Sequence, residues 1–447
     1  MDRNKVGLLT LVALLYSQAS AGPCGIEQTV GSAGVWLAIA SQAGVVLLFS
    51  LPQAIISIEL NKGVVENGGY ALWAERHLGA AWGSAVGLWG AVGGAAYAAS
   101  LVQNIVQYAS LNDNISELAA RWPEFGLVAG LTLASVGLCS TSLRNAGVAY
   151  SLITLFTVSL FATLNGYAGT HANIRSEPFL PSGTRDFSML VDLLIFNAPY
   201  FDSVAAYAGE ARNPARNIPL SIAIVATLVL STNIVTLLVT YFGLGDPSST
   251  WKGGHFAVVA GRLVGPRMRD AVIANAFISN FQIICSNIQN SSYMVSGMAA
   301  HGTAPAWLRA APGDVPVRAV LLCAFVTVMF GFVNFETSLA VQTVLYTGVL
   351  VVECAAYVVK RTNDRAAVEA VGVVVMPALF AAISFYVQDR IMLAAGAGSM
   401  LASVALAYAL HAGRGRDAAT DAFAVRKHRP ETDVELDLVR GKKELFS

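Results

Sequence analysis

The sequence predicts an all-α integral membrane protein of about twelve transmembrane helices, two of them broken near the middle of the bilayer. Hydrophobic residues make up 55% of the chain and charged residues 13%, with a mean hydropathy of +0.58, which excludes a soluble globular domain. The apolar residues gather in runs long enough to cross a bilayer at roughly 20 residues per helix. Two runs carry proline, glycine or amide residues and an acid where a helix should continue. These are Ala21-Gly22-Pro23-Cys24-Gly25-Ile26-Glu27 and Asn197-Ala198-Pro199-Tyr200-Phe201-Asp202.

The first run, 6–34, holds the first break. Arg3 and Lys5 ahead of it, with Ala19-Ser20-Ala21 inside it, also fit a removable leader. Apolar character resumes after Gly25 and the break recurs near Pro199, which favours one broken span. The run 35–60 follows and ends near Glu59. Span 79–110 has Gly79, Gly83, Gly87, Gly90, Gly94 and Ala98 along one face, a pattern of close helix packing to which no chemistry is assigned. Runs 124–140 and 146–170 complete a first block of five. The second block opens on the broken run 187–208 and continues with 218–243, 270–298, 317–333 and 338–359. Its eighth span carries Asn280, Gln282, Asn287, Gln289 and Asn290, too many amides to face lipid, and its tenth carries Glu353. Runs 367–387 and 391–412 add two helices. The expected organisation is a membrane transport domain over 1–412, with blocks of about 5–172 and 186–360 and the extra pair at 366–412. A polar tail over 413–447 mixes both charge signs and is expected to be unstructured.

Basic residues favour the side of the amino terminus. That side holds Arg3, Lys5, Lys62, Arg76, Arg144, Arg212, Arg216, Arg309, Arg318, Lys360, Arg361 and Arg365. Opposite them lie Arg121, Arg175, Arg185, Lys252, Arg262, Arg267, Arg269 and Arg390. Both termini are therefore expected in the cytoplasm, and the plasma membrane is the expected location. Asn114-Ile115-Ser116 falls on the outer side as a weak glycan-acceptor pattern. Lys+Arg and Asp+Glu are equal at 28 each, so net charge supplies no argument for a nucleic-acid partner and none is expected. Cys24, Cys139, Cys285, Cys323 and Cys354 all sit in or beside apolar runs without paired spacing, and read as small buried residues.

A break turns one helix into two half-helices whose free amide and carbonyl ends meet inside the bilayer. Freed backbone groups there cost several kcal/mol unless something buried satisfies them, so a matched pair of breaks implies a cavity with contents. Pro23 and Pro199 cannot donate a hydrogen bond, and Gly22 and Gly25 let the chain leave helix geometry. Glu27 and Asp202 then fall at the start of each second half-helix, where they either cap it or meet a cationic ligand or proton. Asn197, Tyr200 and Phe201 offer an amide and aromatic faces for an ammonium group, and Phe201 reads equally as packing. Glu353 is the candidate for proton coupling, with a buried polar pairing as the alternative.

These segments resemble the amino acid–polyamine–organocation (APC) superfamily of transporters, and within it the polyamine and amino-acid carriers of plants and protists. The matching stretches are Gly22-Pro23-Cys24-Gly25-Ile26-Glu27, Glu66-Asn67-Gly68-Gly69-Tyr70-Ala71-Leu72-Trp73, and Tyr200-Phe201-Asp202-Ser203 running on to Ala208-Gly209-Glu210-Ala211-Arg212-Asn213-Pro214. The resemblance implies a five-plus-five inverted repeat with the first and sixth helices unwound around the substrate. It also implies alternating access driven by a proton gradient or by exchange, with no cofactor or metal. Glu66 to Leu78 would pack at the cytoplasmic mouth, and Glu210 to Asn213 would help close it. Pro23 and Cys24 replace a small-residue glycine turn found in amino-acid-selective relatives, which favours polyamines. Ala198-Pro199 between Asn197 and Tyr200 departs from the polyamine carriers as well.

The expected function is secondary transport of a putrescine- or spermidine-like cation or of an amino acid. An amino-acid permease or exchanger for neutral or cationic amino acids is the alternative, and a non-transporting nutrient receptor on the same fold a further one. An enzyme is not expected. His77, His171, His255, His301, His411 and His428 fall in connections, at a span end or in the tail, with no metal-ligand pair or phosphate-cradling loop. Substrate-binding candidates are Gly22, Pro23, Gly25, Glu27, Asn197, Tyr200, Phe201 and Asp202. The expected partners are a small substrate and membrane lipid, and the sequence names no protein partner.

Overall fold

Both expected breaks are present. The computed structural model describes residues 5–20, 22–62, 66–111, 124–171, 186–311, 313–364, 366–387 and 390–412. The glycan pattern at Asn114 and the tail from 413 lie outside the described residues. Helix α1 (Leu8–Ala19) and helix α2 (Gln28–Ala33) flank turns over 22–27. Within those turns Gly22 and Gly25 adopt φ of 119° and 109°, open to glycine and strained for a residue with a Cβ. The remaining helices are α3 (Val35–Asn61), α4 (Gly69–Leu78), α5 (Ala80–Ala109), α6 (Glu124–Cys139), α7 (Leu143–Thr170) and α8 (Phe187–Phe196). After the second break a 3-10 segment (Phe201–Glu210) completes the sixth span. Then come α9 (Pro214–Leu244), α10 (His255–Leu263), α11 (Pro266–His301), α12 (Val317–Met329), α13 (Phe335–Asn363), α14 (Ala367–Val387) and α15 (Arg390–Ala412).

Eight helices are long and apolar enough to cross a membrane, and four shorter apolar helices, Leu8–Ala19, Phe125–Cys139, Val317–Phe332 and Gly396–Tyr408, accompany them among the described residues. Burial sorts them into layers. In α5, 72% of the apolar window is buried, and 67% in α11 and α13, against 33% in α7 and 22% in α14. The first three therefore form the inner wall, while α7 and α14 present apolar side chains outward, as a lipid solvent requires. Helix α1 sits inside as well, with Leu11, Leu14, Leu15 and Tyr16 buried and α7, α9 and α11 packed around it.

Local sequence explains the irregular places. Pro52 removes an amide donor in α3, and the turn before it widens to a π-helix over Val45–Ser50. The glycine face of α5 lies against α4 and α11. A Cβ at Gly83 would stand 2.7 Å from that of Glu75, and one at Gly87 would overlap the Met298 sulfur.

Two faces of the bundle are fastened differently. At the face holding the amino terminus, Val6 N–H donates to the Glu210 carbonyl and Arg212 N–H to the Val6 carbonyl, each at 2.9 Å. Asn67 donates to the Glu210 carboxylate at 2.9 Å and accepts from Gly209 N–H at 3.0 Å. Glu66 pairs with His301 beside them, and Lys360 reaches the Glu59 carbonyl. At the opposite face, α10 was not foreseen from the sequence, which reads that stretch as a basic connection. It is a short helix lying over the first break, and a Cβ at Gly31 would overlap the Trp251 carbonyl just before it.

Candidate functional site

The second break aims its residues into the bundle. Asp202 follows it in the first turn of the 3-10 segment, is 1% exposed, and accepts from the Tyr346 hydroxyl at 3.0 Å. Tyr346 in turn accepts from the Gln53 amide, so α3, α13 and the sixth span share one chain of hydrogen bonds. Glu353 stands one side of this chain. It is 2% exposed with neither carboxyl oxygen in a normal hydrogen bond, and Asp202 and Gln53 are its polar neighbours. Two carboxyl groups thus lie together deep in the span region.

Asp202 opens onto a cavity of about 60 Å³. Five aromatic side chains surround it, Tyr70, Trp89, Tyr97, Tyr200 and Tyr346, with the Tyr200 and Tyr346 rings 4.2 Å apart between centroids. Polar groups come from Gln18, Ser203, Asn287, Asn290, Ser291 and Gln342. The Gln18 amide nitrogen and the Gln342 amide oxygen are buried without a hydrogen-bond partner, leaving one donor and one acceptor to a guest. A carboxylate ringed by aromatic faces with few amides suits an organic ammonium group, since each face is electronegative and each amide fixes orientation.

Among the sequence candidates, Tyr200 and Asp202 line this cavity and the other six do not. Phe201 is fully buried among Val204, Tyr207 and Ile288, because in a 3-10 turn its side chain projects about 120° away from that of Asp202. Asn197 caps α8, its side chain donating to the Leu193 carbonyl at 2.8 Å. Gly22 and Pro23 belong to the neighbouring turn, where a Cβ at Gly22 would strike Thr157. Gly25 is wedged between Asn104 and Asn197, so the two breaks adjoin. Glu27 is fully buried and accepts three bonds, from Gly25 N–H at 2.7 Å, Gly254 N–H at 2.7 Å and the Tyr108 hydroxyl at 2.5 Å.

Sequence reasoning missed Tyr70, Trp89, Tyr97, Tyr346, Gln18 and Gln342. It also set the α5 glycines aside as packing. Gly83 and Gly87 are packing, whereas Gly90, Gly93 and Gly94 form a wall of the cavity. A Cβ at Gly90 would overlap the Tyr70 hydroxyl, and one at Gly94 would come within 3.0 Å of Asn287 Oδ1 and 3.1 Å of Ser291 Oγ. Mid-span tyrosines beside glycines were the available signal.

Outside the spans, burial holds the His255 imidazole below the usual histidine range. Asp246, 3.5 Å away, pulls the other way, and Arg262 adds repulsion. His255 also lies over Trp251, with ring centroids 4.5 Å apart, and so helps seat α10 above the first break.

The amino acid permease family model matches residues 6–409. The chain belongs to that family, within the APC superfamily. This transporter is 27% identical over 369 residues to an Arabidopsis thaliana protein named "Probable polyamine transporter", a match covering 81% of this chain and 73% of that protein. It is 26% identical over 363 residues to polyamine transporter PUT1 of Oryza sativa subsp. japonica, covering 80% and 67%. Similarity to aromatic amino acid transport protein AroP of Salmonella typhimurium is 25% over 239 residues, covering 52% of each. The protein is accordingly an integral membrane transporter of the all-α type that the sequence predicts.

Proposed function

We propose that this transporter is a secondary carrier of small organic cations of the diamine class, moved by alternating access with protons as the coupling ion. The observation that supports it best is Asp202, a buried carboxylate at the edge of a cavity walled by five aromatic residues. One ammonium group of the guest would meet Asp202 and the faces of Tyr200 and Tyr346, and its methylene stem would run along Trp89 and Tyr97. Glu353 would supply the exchangeable proton. Two adjoining buried carboxyl groups avoid carrying two charges, so arrival of a cation at Asp202 changes which proton is held. The similarity to two polyamine transporters over about four-fifths of the chain agrees with this reading.

In the cycle, the Asn67–Glu210 latch would open one face and the Glu27–Gly254 contact the other, with the cation site between them. The five-plus-five repeat, cytoplasmic termini and plasma-membrane location belong to the same proposal. Amino-acid transport is the second reading, favoured by the AroP similarity and by the unpartnered Gln18 amide, which could receive a carboxylate.

Purified protein in sealed vesicles with an imposed pH gradient should accumulate labelled putrescine. Asp202→Asn should reduce that uptake by about 100-fold or more, since removing one partner of a desolvated charge pair costs about 3–5 kcal/mol. Uptake by the variant equal to the parent's refutes the cation site. Binding without accumulation in the parent marks a receptor instead.

A further inference from the structure

Three amides of the first break, those of Gly22, Gly25 and Ile26, are already occupied. An unwound helix leaves backbone N–H groups that attract an anion, and a substrate carboxylate is the obvious claimant in a carrier of α-amino acids. Here Glu27 takes that place from within the chain. Its Oε2 receives Gly25 N–H at 2.7 Å, and its Oε1 receives Gly254 N–H at 2.7 Å and the Tyr108 hydroxyl at 2.5 Å. Nearby, Ile26 N–H is spent on the Pro23 carbonyl at 3.2 Å, Gly22 N–H reaches the Ser20 hydroxyl at 3.3 Å, and Pro23 has no N–H. Both backbone contacts are donations to Glu27, which fills the acceptor place that a substrate carboxylate would otherwise take.

We infer that Glu27 sets the substrate class by acting as a built-in carboxylate, so that the carrier takes amines and rejects the amino acids from which they differ by one carboxyl group. The inference rests on reading the Asp202 cavity as the cation site. The first break adjoins the second, the one that carries Asp202, because a Cβ at Gly25 would lie 3.6 Å from Asn197 Oδ1. A substrate carboxylate entering here meets a carboxyl group that already holds the Gly25 and Gly254 amides and the Tyr108 hydroxyl. Displacing Glu27 requires surrendering three hydrogen bonds across three segments, which makes rejection a feature of the tertiary structure and not of the break alone.

Matched pairs isolate the carboxyl group: cadaverine with lysine, putrescine with ornithine, agmatine with arginine. Each is tested as a competitor of labelled putrescine uptake by the full-length protein in vesicles. The amine should compete at least about tenfold better than its parent amino acid in every pair. In Glu27→Ala that ratio should fall at least about fivefold, because vacated donors accept the substrate carboxylate. Glu27→Gln keeps the side-chain volume and should lower the ratio in the same direction, so loss of folding in the alanine variant leaves the test intact. The ratio, unlike total flux, is not moved by a merely structural defect. Lysine competing as well as cadaverine in the parent protein overturns the inference and transfers carboxylate recognition to Gln18, while the cation site stands. So does a ratio unchanged in the folded variants. Absence of any amine uptake by the parent defeats the cation site itself, and this inference with it.

Discussion

The Tyr346 hydroxyl donates to the Asp202 carboxylate at 3.0 Å and thereby joins the tenth span to the break in the sixth. Tyr346→Phe keeps the ring that packs at a tilt against Tyr200 but removes the donor. A hydrogen bond to a charged group is worth about 1.5–3 kcal/mol, so the half-saturating putrescine concentration should rise about tenfold or more. Initial-rate uptake measures it, and an unchanged value would show that the bond is idle in the cycle.

Glu353 lies beside Asp202 without a normal hydrogen bond of its own. In Glu353→Gln an imposed pH gradient should no longer drive net putrescine uptake, while putrescine–putrescine exchange persists. Vesicles loaded with unlabelled or no putrescine separate the two modes. A gradient response equal to the parent's removes this residue from the coupling path.

Gly90 faces Tyr70 so closely that any side chain collides with its hydroxyl. Gly90→Ala should push Tyr70 into the cavity and cut uptake at least about fivefold, as overpacking costs about 1–3 kcal/mol. Gly130 on α6 has nothing within 4 Å of its Cβ position, and Gly130→Ala should leave uptake unchanged. It should also stabilise the helix, by no more than about 1 kcal/mol. Thermal unfolding in detergent alongside transport checks both substitutions.

Asn67 bridges Glu210 and Gly209 at the face that holds the amino terminus. Asn67→Ala should favour opening there by about 1–2 kcal/mol, about a five- to thirtyfold shift in population. Labelling of Ser203→Cys by a membrane-impermeant thiol reagent from that face should accelerate accordingly. No acceleration would mean that the other contacts at that face, the Val6–Glu210 pairing among them, hold it closed without Asn67.

The breaks were legible because Pro and Gly change what the backbone itself can do, wherever the helix is later placed. Asp202 and Tyr200 were found for that reason, both lying within three residues after the proline of a visible discontinuity. Tyr70, Trp89, Tyr97 and Tyr346 were not, since a tyrosine in an apolar run looks the same facing lipid, core or cavity. Glu27 shows the converse limit. Its position beside a break suggested a ligand contact, but two of its three donors, Tyr108 and Gly254, are remote in sequence, and no local pattern announces them.

Taken alone, the order of residues determined that this chain crosses a membrane about twelve times and that its first and sixth spans are interrupted, because hydropathy and backbone freedom are properties of short segments. Tertiary structure decided which of two similar acids opens onto a cavity. Asp202 faces an aromatic chamber and Glu27 is enclosed by amide and hydroxyl donors, a difference set by what distant helices bring alongside each carboxylate.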